Sequence, residues 1–374
     1  DNSRSMRQSV TTDAKGAYRI ESVAEGSYAV TFKKEGYITE TARLERISSG
    51  ETMKLPMRMY RKSSVAGQIS IQDIGTAAIN IQVSLSGRAS HYTTTFSDGT
   101  FRIEDVKPGE YTVALAHQGF HTPKPFKISV REGENRENMN FSLKAREPQI
   151  EVSAYRYTFT PGMKLEFATK SLRLDKIKTR IFRVPASVLL RGRSDPNTLD
   201  PAKEKFTVAK EWEDLVKNFT PYEWRYQSVE FGDALPEGGY CIEVSGADRV
   251  FSRKFFTVTT VGIVVKRSRE SVFAYASNLV TNKPVAGAQI AVFDNTPVEK
   301  KPQPQADESQ ENTSENGDYE PMRESAPQSY LGRIEDLPIK IITKGTTDAG
   351  GIFRQPLSSP VQLSLLAVAP DGTL

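Results

Sequence analysis

The sequence is poor in the residues that most site chemistry uses. Its 374 residues include one Cys, three His and two Trp. A single Cys excludes an intrachain disulfide framework and any zinc or iron–sulfur site built from clustered cysteines. So few histidines leave little room for a histidine-rich metal centre. No apolar run approaches the roughly 18–20 residues that a membrane span needs. An excess of one charge is also lacking. The 50 Lys and Arg face 46 Asp and Glu, a net +4, which gives no reason to expect a nucleic-acid partner. No Gly-x-Ser-x-Gly elbow, phosphate-cradling loop or histidine-based nucleophile pattern is present. The sequence opens Asp1-Asn2-Ser3 with no signal-peptide pattern, and reads as a piece of something longer.

What is present is repetition. Gly16, Tyr18, Arg19, Ile20, Val23, Gly26, Tyr28, Val30, Gly36 and Tyr37 match Gly99, Phe101, Arg102, Ile103, Val106, Gly109, Tyr111, Val113, Gly119 and Phe120, each 83 positions on (99 − 16) with no gap. A period this long means a duplicated small domain rather than a short solenoid unit. Within the unit, Asp13 and Gly16 mark a turn. Tyr18 and Ile20 alternate with Arg19 as on a half-buried strand, and Tyr28, Val30 and Phe32 share one face of the next. Turn signals about every 8–12 residues with period-2 patterning predict an antiparallel sandwich. The second copy is complete, with strands at 68–71 and 79–83 before its turn. The first lacks those opening strands, or takes them from residues outside this sequence.

Half-motifs return later. Thr346-Thr347-Asp348-Ala349-Gly350-Gly351-Ile352-Phe353-Arg354 repeats the first turn and strand. Leu235 to Val244 repeats the second, with Tyr240, Ile242 and Val244 on one face. Residues 54–64 and 144–149 read as linkers. The expected architecture is all-β, four tandem sandwiches over 1–60 (truncated), 61–146, 147–258 and 259–374. In the third, Trp212, Leu215, Val216 and Phe219 at helical spacing, closed by Pro221, predict a short helix near 209–219. In the fourth, residues 296–332 are rich in Pro, Gln, Ser, Asn and acidic residues. That stretch cannot bury enough apolar surface to order itself and reads as a disordered insertion.

The Thr-Asp-x-x-Gly-x-Tyr-Arg-Ile…Gly-x-Tyr-x-Val…Gly-Tyr pattern at 12–37, and its second copy with Asp98 next to Gly99, resemble carboxypeptidase regulatory-like domains, which are transthyretin-like sandwiches. The second half resembles the N-terminal macroglobulin-type domains of bacterial alpha-2-macroglobulin-like proteins. The residues carrying this are Val258–Lys266, then Ser277-Asn278-Leu279-Val280-Thr281-Asn282-Lys283-Pro284-Val285-Ala286-Gly287-Ala288-Gln289-Ile290, and the turn at 346–351. The resemblance implies Ig-like sandwiches in a secreted, periplasmic or surface-anchored protease trap whose bait and thioester segments are not in this sequence. Cys241-Ile242-Glu243-Val244 differs from the family's Cys-x-Glu-Gln thioester because Val244 stands where Gln must be, so Cys241 reads as a strand residue.

Other constellations have bland readings. His117 and His121 have zinc spacing only on a helix, and here they flank a turn. Each Asp-x-x-Gly turn offers one carboxylate, too few for calcium. The Arg180–Arg193 stretch reads as a solvated strand edge. Tyr222, Trp224, Tyr226 and Trp212 either pack the predicted helix on its sheet or, if exposed, form a sugar-stacking surface. The expectation is therefore a non-catalytic structural arm of an alpha-2-macroglobulin-like inhibitor, with no cofactor, metal or catalytic residue. Its structural residues are the turn glycines Gly16, Gly26, Gly99, Gly109 and Gly351 and the core anchors Tyr28, Tyr111 and Tyr240. The partners are other domains of the same chain, and proteases through the parent protein. The alternative is a carbohydrate-binding or adhesive surface module using Tyr222, Trp224 and Tyr226 on a cell-surface glycan.

Overall fold

A computed structural model describes residues 7–72, 74–190, 195–246, 250–294, 339–357 and 363–370. The acidic stretch expected at 296–332 lies outside the described residues. Among the described residues the regular structure is almost wholly β-strand, and the chain divides into two compact units, Asp1–Arg146 and Glu147–Leu374.

In the first unit, β1 (Gly26–Phe32) pairs antiparallel with β2 (Glu40–Ile47) as a two-stranded sheet. A sandwich follows, of β3 (Ser64–Ile71), β4 (Gln82–Gly87), β5 (Ser90–Thr94), β6 (Thr100–Ile103), β7 (Gly109–Ala116), β8 (Phe120–His121), β9 (Phe126–Val130), β10 (Asn135–Arg136) and β11 (Phe141–Ala145). One sheet runs β5-β4-β7-β9. The other runs β10-β3-β11-β8, with β6 also on β3. Alternation makes the core, since Val83 and Leu85 of β4 and Tyr111, Val113 and Leu115 of β7 point inward and their neighbours do not. The sheets are not purely antiparallel, because β10 and β11 run parallel to β3.

The first copy departs from the sequence reading. Tyr18–Ile20 forms no strand. The reason lies in the pairing. In the second copy, β6 is held by β3, and β5 and β7 by β4. Shifted by 83, residues 64–83 have no counterpart in this sequence. A strand needs a neighbour for its backbone N–H and C=O groups. The counterparts of β7 and β9, which pair with each other, do form as β1 and β2. The counterpart of the β8–β11 pairing survives as a bridge between Tyr37 and Arg61. The stretch at 54–64 is no free tether: Tyr60 is buried, its carbonyl accepts from Ile38 N–H at 2.8 Å, and its hydroxyl accepts from Arg88.

The second unit opens with β12 (Gln149–Ser153), β13 (Thr158–Phe159), β14 (Leu165–Leu172), β15 (Lys176–Arg183), the four-residue helix α1 (Ala186–Leu189), β16 (Thr207–Leu215), β17 (Arg225–Phe231), β18 (Gly238–Ser245) and β19 (Phe251–Val258). These form sheets β12-β14-β17 and β13-β19-β18-β15-β16 around Phe159, Phe167, Ile181, Tyr240 and Phe256. Then β20 (Val261–Arg267), β21 (Ser271–Asn278), β22 (Gln289–Asp294), β23 (Ile341–Thr346), β24 (Ile352–Pro356) and β25 (Leu363–Val368) form sheets β20-β21-β24 and β23-β22-β25.

The predicted helix near 209–219 is instead edge strand β16. Trp212 is the one half-buried residue of β16 and stacks on Phe231 with centroids 5.7 Å apart, and Val216, just past the strand, is buried. Leu215 is 75% exposed, where helical spacing had put it beside Trp212. The stretch is held by its backbone ladder to β15, and cross-strand charge adds to it: Glu211 pairs with Lys178 at 2.8 Å and Glu213 with Lys176. Trp212→Ala should therefore cost about 2–3 kcal/mol, somewhat below a fully buried aromatic truncation, and Leu215→Lys should stay within about 0.5 kcal/mol. Urea denaturation of both variants checks this; an amphipathic helix would give similar losses for the two.

Candidate functional site

The sequence motifs converge on backbone stitching. In the second copy, Thr95 is buried. Its hydroxyl donates to Ala78 O at 2.7 Å and accepts from Ile81 N–H at 3.0 Å. Its own N–H donates to Ile81 O at 3.0 Å, and its carbonyl accepts from Asn80 N–H at 3.4 Å. Four residues on, Gly99 O accepts from Ile69 N–H at 2.8 Å, and Ala78 N–H returns to Ile69 O at 2.9 Å. The last sandwich repeats this bond for bond. Thr347 is buried; its hydroxyl donates to Val285 O at 2.6 Å and accepts from Ala288 N–H at 2.9 Å. Thr347 N–H donates to Ala288 O and Gly287 N–H to Thr347 O, both at 3.0 Å. Ala276 N–H donates to Gly351 O at 2.9 Å, and Val285 N–H to Ala276 O at 3.0 Å.

Glycine is required in each knot by close approach. A Cβ on Gly99 would lie 2.5 Å from Ile69 O, and one on Gly351 2.5 Å from Ala276 O, at φ of +78° and +73°. Gly16 has φ +79° and nothing within 4 Å of that position. The adjacent Asp residues serve their own turns. Asp13 Oδ1 accepts from Lys15 and Ala17 N–H, Asp348 Oδ1 from Gly350 and Ile352 N–H, and Asp98 Oδ1 from Thr100 N–H and Oγ1. The Thr100 hydrogen bonds hold the Asp98 carboxyl below its usual range.

A second device recurs three times. Tyr28, Tyr111 and Tyr240 each donate a hydroxyl hydrogen bond to the carbonyl four residues earlier: Ala24 at 2.7 Å, Lys107 at 2.9 Å and Pro236 at 2.6 Å. The residue two before each is Gly26, Gly109 or Gly238, all near φ +150°. These are tyrosine corners in form. Tyr111 and Tyr240 are each 1% exposed, and burial pushes both hydroxyls above their usual pKa. Tyr28 is only half-buried.

The sole thiol and one carboxylate are committed to the third sandwich. Cys241 sits among Phe182, Val184, Val188 and Phe206, and burial pushes its thiol up to about 12. Glu243, 1% exposed, lies between two arginines: Arg180 Nε reaches Oε1 at 2.8 Å, and Arg253 Nε bonds Oε2. Arg253 also holds the turn Pro196–Thr198, through its N–H to Asn197 Oδ1 and Nη1 to Leu199 O, both at 2.7 Å. Arg180 and Arg183 are thus on interior strand β15 rather than on a solvated edge. Sequence reasoning missed Glu243 and Arg253, and also Thr95 and Thr347. A threonine four before the turn glycine at 12, 95 and 347 was the available signal.

The aromatic group is not one platform. Tyr226 is 71% exposed. Lys170 Nζ stands 4.1 Å from the Trp224 ring centroid, and the Arg173 guanidinium 5.6 Å from that of Tyr222. Trp212 faces the core. His117 Nδ1 accepts from Gly119 N–H at 3.0 Å, and His121 is exposed on β8. Among the described residues, no group of three or more His, Cys, Asp or Glu is placed to hold a metal ion.

The second unit also contains an open groove of about 740 Å³, lined by Thr158, Thr160, Leu189, Leu190, Thr257, Ile263, Leu365, Leu366 and Ala367 among others, with Arg156 the charged one. Beside it, Ala186 of α1 packs with Ala291, Phe293, Leu366 and Val368, joining the two sandwiches of this unit. Such a lining can bury apolar surface and offer hydroxyls.

Residues 64–144 match the carboxypeptidase regulatory-like domain family. No curated protein matches the chain. Among solved structures, the chain is similar to native alpha-2-macroglobulin from Escherichia coli spanning domains MG0-NIE-MG1, at 12% identity and TM-score 0.41, over 93% of this chain and 95% of that one. A fragment of the same protein spanning NIE-MG1 gives 14% identity and TM-score 0.40, over 61% and 95%. A putative carbohydrate binding protein from Bacteroides uniformis gives 12% identity and TM-score 0.20, over 52% and 99%.

Removing either buried hydroxyl strands an N–H and a carbonyl, so Thr95→Val and Thr347→Val should each cost about 1–3 kcal/mol. Thr12→Val, on the exposed counterpart, should stay within about 0.5 kcal/mol. Glu243→Gln should cost about 3–5 kcal/mol by leaving two arginines without their shared anion. Chemical denaturation followed by tyrosine and tryptophan fluorescence measures all four.

Proposed function

We propose that this chain is a non-catalytic structural arm of an extracytoplasmic alpha-2-macroglobulin-like protease inhibitor. The observation that carries the reading is how the resemblance-bearing residues are used. Segments 277–290 and 346–351 interlock through Thr347, Val285, Ala288 and Gly351, backbone against backbone. The same stitch closes the carboxypeptidase regulatory-like sandwich. Side chains that could act as nucleophile or acid, Cys241 and Glu243, serve packing and an ion triad instead. A chain organised this way sets the spacing and orientation of neighbouring domains. Its partners are those domains, and proteases through the whole polypeptide. No helix among the described residues is long and apolar enough to cross a membrane. An extracytoplasmic place follows from the resemblance alone.

The glycan-binding alternative draws on exposed Tyr226. Lys170 and Arg173 stand over the rings of Trp224 and Tyr222, where a sugar would stack, and so weigh against it. Two assays test the choice. The purified chain should neither slow nor undergo turnover with serine and metallo-endopeptidases acting on a large protein substrate, and should give no glycan-array signal. The whole polypeptide carrying this chain should slow cleavage of large substrates while sparing small chromogenic ones. Inhibition by the chain alone, a glycan signal lost in Tyr226→Ala, or a whole polypeptide inert toward endopeptidases would each overturn the reading.

A further inference from the structure

The complete regulatory-like sandwich leaves one strand edge open without the usual protection. β5 (Ser90–Thr94) pairs with β4 alone among the described residues and ends the sheet β5-β4-β7-β9. Its residues, Ser90, His91, Tyr92, Thr93 and Thr94, include no acid, no lysine or arginine, and no proline. Edge strands are normally blunted by charge or proline, because their unpaired backbone is a template for another strand. The opposite edge of the same sheet, β9, carries Lys127, and the edge strand β16 carries Lys210, Glu211, Glu213 and Asp214. β5 is instead built of residues that favour strands. It also holds an aromatic ring out in solvent, since Tyr92 is 78% exposed.

Register fixes which backbone groups are free. Just past the strand, Thr95 N–H donates to Ile81 O, so Thr95 bonds toward β4. Antiparallel bonding alternates along a strand. His91 and Thr93 therefore also bond toward β4, opposite Leu85 and Val83. The N–H and C=O groups of Ser90, Tyr92 and Thr94 point to the open edge, and the three side chains lie exposed on the solvent face of the sheet. His91, between them, turns inward onto the Tyr111 ring with centroids 6.2 Å apart, and its Nε2 is buried with no hydrogen-bond partner.

We infer that β5 pairs antiparallel with β5 of a second copy of this chain, about a two-fold axis at Tyr92, joining two four-stranded sheets into one. The strand is self-complementary in that register. Ser90 lies opposite Thr94 of the second copy, and Tyr92 opposite Tyr92, which sets hydroxyl pairs at both ends and an aromatic pair at the centre. The free groups of Ser90, Tyr92 and Thr94 all then find partners. Thr93 of the second copy stands opposite His91, bringing a hydroxyl to the side where His91 Nε2 has none to bond. No like charges meet along the strand. Arg88 precedes it and Asp98 follows it, so antiparallel pairing brings Arg88 of each copy toward the end of the other that carries Asp98. This symmetry about Tyr92 is what favours a second copy over an unrelated strand. The contact is isologous and closes at two copies, leaving no β5 edge for a third. A five-residue seam buries little surface, so the dimer is weak and concentration-dependent.

The tests use the full chain. Sedimentation velocity from about 10 to about 1,000 µM should show monomer passing into dimer, and amide exchange at the high end should slow at Ser90, Tyr92 and Thr94. Tyr92→Cys should form a disulfide-linked dimer under mild oxidation, since directly opposed strand residues lie within disulfide reach. Cys241 is buried and takes no part. Tyr226→Cys, at a site 71% exposed, should crosslink at least about tenfold more slowly for want of that proximity. Ser90 and Thr94 are exposed, so charging them leaves the fold intact. A chain with Ser90→Lys and Thr94→Lys, and one with Ser90→Glu and Thr94→Glu, should each stay monomeric, and their mixture should dimerise more tightly than the unmodified chain. A monomer throughout the range with no preferred crosslink at position 92 would overturn the inference. So would a dimer that both like-charged variants retain, which would put the contact on another face. Slowed exchange at β5 in the dilute monomer would overturn it too, because a different segment would then cover the edge.

Discussion

The structure depends on strand pairing as a strict requirement of the backbone. A peptide N–H or C=O withdrawn from water must find a partner, and a strand finds it only in a neighbour. In the regulatory-like sandwich β3 is the hub, since β6, β10 and β11 all pair with it, while β4 holds β5 and β7. The two copies make an internal controlled comparison. With closely related residues, Phe101-Arg102-Ile103 is a strand and Tyr18-Arg19-Ile20 is not. Local pattern permits a strand; a neighbour makes one.

The threonine knots add a second layer to that requirement. Each gathers a turn, a crossing strand and a connection around one buried hydroxyl that both donates and accepts. The same set of bonds occurs in sandwiches whose remaining sequences differ widely. This explains why Gly99 and Gly351 accept no side chain: a carbonyl already occupies the space. The tyrosine corners work in the same sense, tying the start of a strand to the turn before it through one hydroxyl.

Much of this was legible in the residues. The duplication, the all-β class, the strand at Tyr240–Val244 and the turns at 13–16 and 348–351 follow from period-2 alternation and from glycine and aspartate placement. What was illegible had specific causes. Trp212, Leu215, Val216 and Phe219 fit a helix as well as a strand, and it is pairing with β15, about thirty residues earlier, that makes the stretch a strand. Glu243 looked like part of a failed thioester motif, because its partners Arg180 and Arg253 lie far off along the chain. Thr95 and Thr347 share a spacing of four to the turn glycine, but Thr12 has the same spacing and is exposed, so the pattern alone does not report burial, which depends on strands brought in from elsewhere. Tyr222, Trp224 and Tyr226 are close in sequence, yet adjacent cations divide them.

Cys241 has a consequence for how the molecule comes to be folded. With its sulfur closed in beneath Phe182, Val188 and Phe206, the native chain presents no thiol to any oxidant and holds no bond that an oxidant must make. Within these sandwiches no disulfide has to form for the native packing to be complete. With one cysteine there are no pairings to sort.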